Sequence, residues 1–125
     1  MSKKYYVRWD DVETFVNVFA DQVKMEGRKF TGVYGLPRGG LIFAVMLSHR
    51  LNIPMLLAPA DGCLIVDDIA DSGKSLYHFT ENDTQFNKYY IATMFYHQRS
   101  IVKPDYYRYY KEDKWIVFPW ESDDE

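Results

Sequence analysis

The chain has 125 residues, 47% apolar and 26% charged, which suits one domain over 1–125 around one hydrophobic core, with disorder expected only at the acidic end Glu121-Ser122-Asp123-Asp124-Glu125. Its net charge of -3 lacks the basic surplus of a nucleic-acid binder, so no nucleic-acid partner is expected, while a local arginine and backbone amides can still hold an anionic small molecule. The single cysteine, Cys63, excludes an internal disulfide and a multi-cysteine zinc cluster; no apolar signal core follows Met1, and no apolar run reaches the ~20 residues of a membrane helix, so a cytoplasmic protein without membrane partners is expected.

Tyr5-Tyr6-Val7-Arg8-Trp9 reads as a short strand. Asp10 or Asp11 then reads as the cap of a helix whose apolar face is Val12, Phe15, Val16, Phe19 and Val23, stopped by Gly27. Phe30 to Tyr34 reads as a buried strand, followed by the turn Gly35-Leu36-Pro37-Arg38-Gly39-Gly40 and an apolar helix from Leu41 to Leu51. Asn52-Ile53-Pro54 breaks that helix. Met55 to Ala58 is a strand candidate, and Pro59-Ala60-Asp61-Gly62 is a tight connection. Cys63-Leu64-Ile65-Val66 is the strongest buried-strand signal and runs into Asp67-Asp68. A helix is expected from Lys74 or Ser75, with further strands at Tyr89 to Tyr96, Asp105 to Tyr110 and Trp115 to Phe118. Alternating strands and helices predict an α/β, Rossmann-like domain with a mainly parallel sheet flanked by helices. Ligands of such sheets bind beyond the C-terminal strand ends.

Two of the segments that follow strands carry unusual chemistry. Adjacent carboxylates at Asp67 and Asp68 repel each other and lose solvation, so they call for a cation or hydroxyl groups. Asp71-Ser72-Gly73-Lys74-Ser75 is small, polar and opens a helix, which favours a phosphate. An ordinary cap and turn would explain Asp71, Ser72 and Gly73 alone, but not the acidic pair before them. A Walker A loop would need Gly five positions before Gly73, where Asp68 stands. Upstream, Pro37-Arg38-Gly39 places a forked cation and a close-approach backbone ahead of a helix.

The run of apolar strand, two acids, two apolar residues, Asp, Ser, Gly, one residue and Ser resembles the phosphoribosyl pyrophosphate (PRPP) signature of type I phosphoribosyltransferases. The resemblance extends to Lys4–Asp10 and Trp115–Glu121, which are similar to the xanthine–guanine branch of that family. It implies that fold, with a small hood built from the termini, and a homodimer. It implies purine phosphoribosyl transfer with guanine, xanthine or hypoxanthine as acceptor, PRPP as donor and Mg2+ as cofactor. On this reading Asp67 and Asp68 hold the ribose hydroxyls and Mg2+, and Asp71, Ser72, Gly73, Lys74 and Ser75 cradle the 5′-phosphate. Pro37, Arg38 and Gly39 hold pyrophosphate, Asp71 and Arg38 are the catalytic groups, and Trp115 stacks on the base while the Ile116 backbone reads its edge. Relatives often have a cis peptide just before the arginine; Leu36–Pro37 is the easiest cis candidate on sequence grounds.

Two departures stand out. His97 occupies the place of a lysine that donates to the 6-oxo group in relatives; it is either a substitute donor or a surface histidine. The long lid of relatives shrinks here to Pro54–Gly62. A non-catalytic PRPP or nucleotide regulator is therefore the alternative reading, and transfer to a pyrimidine is a third, opposed by Trp115. The tyrosines at 89, 90, 106, 107, 109 and 110 exceed what one sheet face buries, which places part of them at the expected dimer interface.

Overall fold

The structure is a computed structural model that describes residues 3–80 and 89–122; the last three residues of the acidic end lie outside it. Among the described residues nine elements follow one another. They are β1 (Lys4–Tyr6), α1 (Trp9–Glu26), β2 (Val33–Gly35), α2 (Gly39–Leu51) and β3 (Leu64–Ala70), then α3 (Lys74–Thr80), β4 (Tyr90–Tyr96), β5 (Tyr106–Tyr110) and β6 (Trp115–Val117).

Four strands form one parallel sheet in the order β2-β3-β4-β5. The helices cover both faces. Val12, Phe15, Val16, Phe19 and Val23 of α1, with Phe43, Ala44 and Leu47 of α2, pack on Leu64 and Val66 of β3. Leu76 of α3 packs with Ile65 and Ile91 on the opposite face. The alternation along Leu64-Ile65-Val66 is that of a strand buried on both sides. Strands β1 and β6 pair in parallel as a separate two-stranded sheet, with Lys4 opposite Trp115, so the two ends of the chain build the hood.

Several expected boundaries move. Trp9 is not in the first strand; it opens α1, because the Arg8 N–H donates to the Asp11 carboxylate (2.9 Å) and so starts the helix. The cap position is Arg8, and Asp10 and Asp11 lie in the first turn, where their charge suits the helix dipole. Gly27 ends α1 in the left-handed conformation, as expected (φ 69°). Met55 to Ala58 is not a strand; it makes a single bridge, Met55 to Val33. Cys63 precedes β3, and the strand runs on through the acidic pair to Ala70, since β4 pairs with it to the end (Asp67 opposite Thr93, Ala70 opposite Tyr96). The cis peptide is Pro37–Arg38, directly before the arginine, and not Leu36–Pro37.

The tyrosines divide between the two sheet faces. Tyr90 and Tyr106 pack on the core with Phe19, and Tyr89 and Tyr107 pack on the opposite face. Tyr109 and Tyr110 are the belt members left exposed. No helix among the described residues is long and apolar enough to cross a membrane.

Candidate functional site

Because the four sheet strands run parallel, their C-terminal ends share one edge. The segments leaving that edge are Pro37-Arg38-Gly39 after β2, Asp71–Ser75 after β3, His97–Ser100 after β4 and Lys111 after β5. The hood contributes Trp115. A cavity of about 600 Å³ is lined by Arg38, Gly39, Ile42, Trp115, Trp120 and Glu121. Thus the predicted pyrophosphate loop and the predicted base-stacking tryptophan face the same space. Trp115 is partly exposed, while Trp120 behind it is held by stacking on Phe118 (5.0 Å between rings). Ile116 is buried and lines a smaller neighbouring cavity.

Glycine joins the two loops. A Cβ on Gly39 would overlap Asp68 Oδ2, so the arginine loop lies directly against the second carboxylate. A Cβ on Gly40 would meet the Val66 carbonyl, and one on Gly35 would meet the Gly40 carbonyl. The absence of side chains lets α2 begin hard against β2 and β3.

Asp67 and Asp68 sit half-buried inside β3. Asp67 Oδ1 accepts the Asp68 N–H (2.8 Å), and Asp68 Oδ1 accepts the Ile69 N–H (2.7 Å). Burial, reinforced by the neighbouring Asp68 charge, pushes the Asp67 carboxyl up to about 9, and burial also raises Asp68. Two desolvated carboxylates side by side form a hard-oxygen pair suited to a divalent ion. Among the described residues no third His, Cys, Asp or Glu joins them in a metal-holding group. That donor set fits Mg2+, which keeps waters and takes one or two carboxylates together with substrate oxygens.

The expected phosphate cradle is an open turn. Gly73 has φ 81°, and a Cβ there would run into the Ile101 N–H; Ser72, Lys74 and Ser75 are exposed. The Ile101 N–H donates to the Ser72 carbonyl (2.9 Å), which locks the 97–101 loop onto the cradle.

Asp71 has two cationic neighbours that sequence reading did not single out. Arg99 holds Oδ1 through Nε (2.8 Å) and its terminal nitrogen (2.7 Å), and Lys111 Nζ lies 3.4 Å from Oδ2. The only sequence signal for Lys111 is a charge directly after a strand. His97 lies at the same edge with both ring nitrogens engaged: Nε2 faces Asp113 (3.3 Å) and Nδ1 accepts the Arg99 N–H (3.1 Å). It lines a separate cavity with Tyr96, Gln98 and Tyr110.

The chain is similar to purine phosphoribosyltransferases. No family model matches it. A purine phosphoribosyltransferase of Pyrococcus horikoshii, known from its crystal structure, is 32% identical, covers 95% of this chain and 94% of its own, and superposes with a TM-score of 0.78. A xanthine-guanine phosphoribosyltransferase of Vibrio parahaemolyticus is 26% identical over 143 residues, 97% of this chain and 91% of its own length. The Helicobacter pylori xanthine-guanine-hypoxanthine phosphoribosyltransferase, at 21% identity and a TM-score of 0.80 over 96% of this chain and 95% of its own, shares the fold. The chain belongs to the type I phosphoribosyltransferase family.

Proposed function

We propose that the chain transfers the 5-phosphoribosyl group from PRPP to a 6-oxopurine, with guanine, xanthine or hypoxanthine as acceptor, and releases pyrophosphate. The observation that carries the reading is the convergence at one sheet edge of an acidic pair, an arginine loop packed against it and an exposed tryptophan facing that loop. In the reaction the bond from the anomeric carbon to pyrophosphate oxygen breaks and a bond to a purine ring nitrogen forms. Arg38 and the Gly39 backbone hold the leaving group, and Pro37 shapes that loop. Asp67 and Asp68 bind the ribose hydroxyls and are the residues that would hold Mg2+. When bound, Mg2+ supplies positive charge against the pyrophosphate.

Asp71, Ser72, Gly73, Lys74 and Ser75 anchor the 5′-phosphate, which fixes the ribose between base and leaving group. Trp115 stacks on the base beside Ile116, and His97 stands further along the same edge. Asp71 takes the proton that the purine sheds as the new bond forms. Asp71→Asn is therefore expected to lower kcat by about 10²-fold or more, a larger loss than in PRPP affinity. Unchanged turnover in that variant removes Asp71 from the chemistry.

A second reading has one observation in its favour. The connection from α2 to β3 is too short to close over the substrates, and Thr31 Oγ1 pins it by donating to the Asp61 carbonyl (2.9 Å). A PRPP-binding regulator on this fold would bind PRPP with Mg2+ and form no nucleotide.

A further inference from the structure

The turn after β4 is tied to the loop after β3 on both sides of Asp71. The His97 N–H donates to the Ala70 carbonyl (2.9 Å), just before Asp71, and the Ile101 N–H donates to the Ser72 carbonyl (2.9 Å), just after it. A side chain on Gly73 would run into Ser100, so the two loops lie in direct contact. Inside the turn the Ser100 N–H donates to the His97 carbonyl (2.9 Å), and the Arg99 N–H donates to the His97 ring at Nδ1 (3.1 Å). The Arg99 side chain leaves the turn toward Asp71 and puts Nε (2.8 Å) and a terminal nitrogen (2.7 Å) on one oxygen, Oδ1. That side chain is 63% exposed, so packing does little to hold it, and the backbone position set by the turn decides where it reaches.

Nδ1 can accept the Arg99 N–H only while it carries no proton. In the neutral ring the proton then sits on Nε2, where it donates to Asp113 (3.3 Å). We infer that His97 is a positioning residue: as the neutral Nε2–H tautomer it closes the turn that presents Arg99 to Asp71, and so fixes which carboxylate oxygen faces the substrate. Arg99 takes up Oδ1, leaving Oδ2, with the Lys111 ammonium 3.4 Å away, as the oxygen that takes the purine proton. The ring nitrogen stands where an asparagine oxygen would. Both atoms are bonded to Cγ, and an asparagine makes the same bond to the amide two residues on. The inference rests on the proposed role of Asp71 in transfer to a purine, and it gives His97 a role exerted through Arg99 rather than on the substrate.

The first measurement needs neither a variant nor turnover. Heteronuclear NMR spectra of the wild-type histidine rings at about pH 8, above the ordinary histidine range, are expected to show His97 with a bare Nδ1 and a protonated Nε2. A proton on Nδ1, or on both nitrogens, overturns the inference. Kinetics follow. His97→Leu is expected to lower kcat for nucleotide formation by about tenfold or more. His97→Asn, which keeps an acceptor in place, recovers most of that loss. His97→Lys, which offers donors and no acceptor, does not. In an Arg99→Leu background the same His97→Leu change costs less than about twofold, since its route to Asp71 is already cut. Full turnover in His97→Leu, or recovery in His97→Lys to the level of His97→Asn, overturns the inference. So do equal losses from His97→Leu with and without Arg99, which is what a ring touching the base directly would give. Failure of the transfer reaction is a separate outcome: a chain that makes no nucleotide loses the enzyme reading, and the Arg99 Nε–H signal then carries the test. It is expected to exchange slowly with water in the wild type and in His97→Asn, and faster in His97→Leu. Unchanged exchange in His97→Leu overturns the inference.

Discussion

Gly39 decides whether the arginine loop and the acidic strand can share one substrate. Any side chain there meets Asp68 Oδ2 and forces the carboxylate or the loop to move. Gly39→Ala is expected to weaken PRPP binding by at least about tenfold, or about 1.4 kcal/mol. The melting temperature should fall little, because the position is partly exposed and outside the packed core. Wild-type PRPP affinity in this variant contradicts the close approach of the two loops. Arg38, Asp67, Asp68 and Asp71 were legible in the sequence because each lies in a contiguous run whose residue types only make sense together. Lys111 and Arg99 were not. Their role arises from ion pairs with Asp71, made across strand ends that only the folded sheet brings together.

Strand β3 was read too short for a physical reason. The continuous apolar run stops at Val66, and two acids look like the start of a loop. Pairing with β4 overrides that local preference and carries the acids inside the sheet, where desolvation raises both. The sign of the consequence follows from linkage. Asp67 binds its proton more tightly in the folded chain than in the unfolded one. The contribution of this protonated carboxyl to the stability of the metal-free chain is therefore fully present below the ordinary carboxylate range and is lost as pH rises through about 9. A divalent ion on the pair offsets that loss. Thermal melts at about pH 6 and about pH 8.5 should show a lower metal-free midpoint at the higher pH and a larger upward shift with Mg2+ there. An equal shift at both values contradicts ion binding at the buried pair. The start of α1 was misplaced on similar grounds: β-rich residues up to Trp9 read as strand until Asp11 reaches back to the Arg8 amide.

At the scale of the whole molecule, the alternation of strands and helices was enough to give the parallel sheet and the edge where ligands bind. The hood was legible only through resemblance, because β1 and β6 are three residues each and pair across nearly the full chain. That closure puts Trp115 on the same cavity as Arg38. The central claim is transfer to a 6-oxopurine, and it is tested most directly by supplying PRPP and Mg2+ with guanine, xanthine, hypoxanthine or adenine in separate reactions and following nucleotide and pyrophosphate together. Equal amounts of nucleotide and pyrophosphate from at least one 6-oxopurine, with adenine far behind, are the predicted result. No nucleotide from any of the four bases, in protein that still binds PRPP, contradicts it.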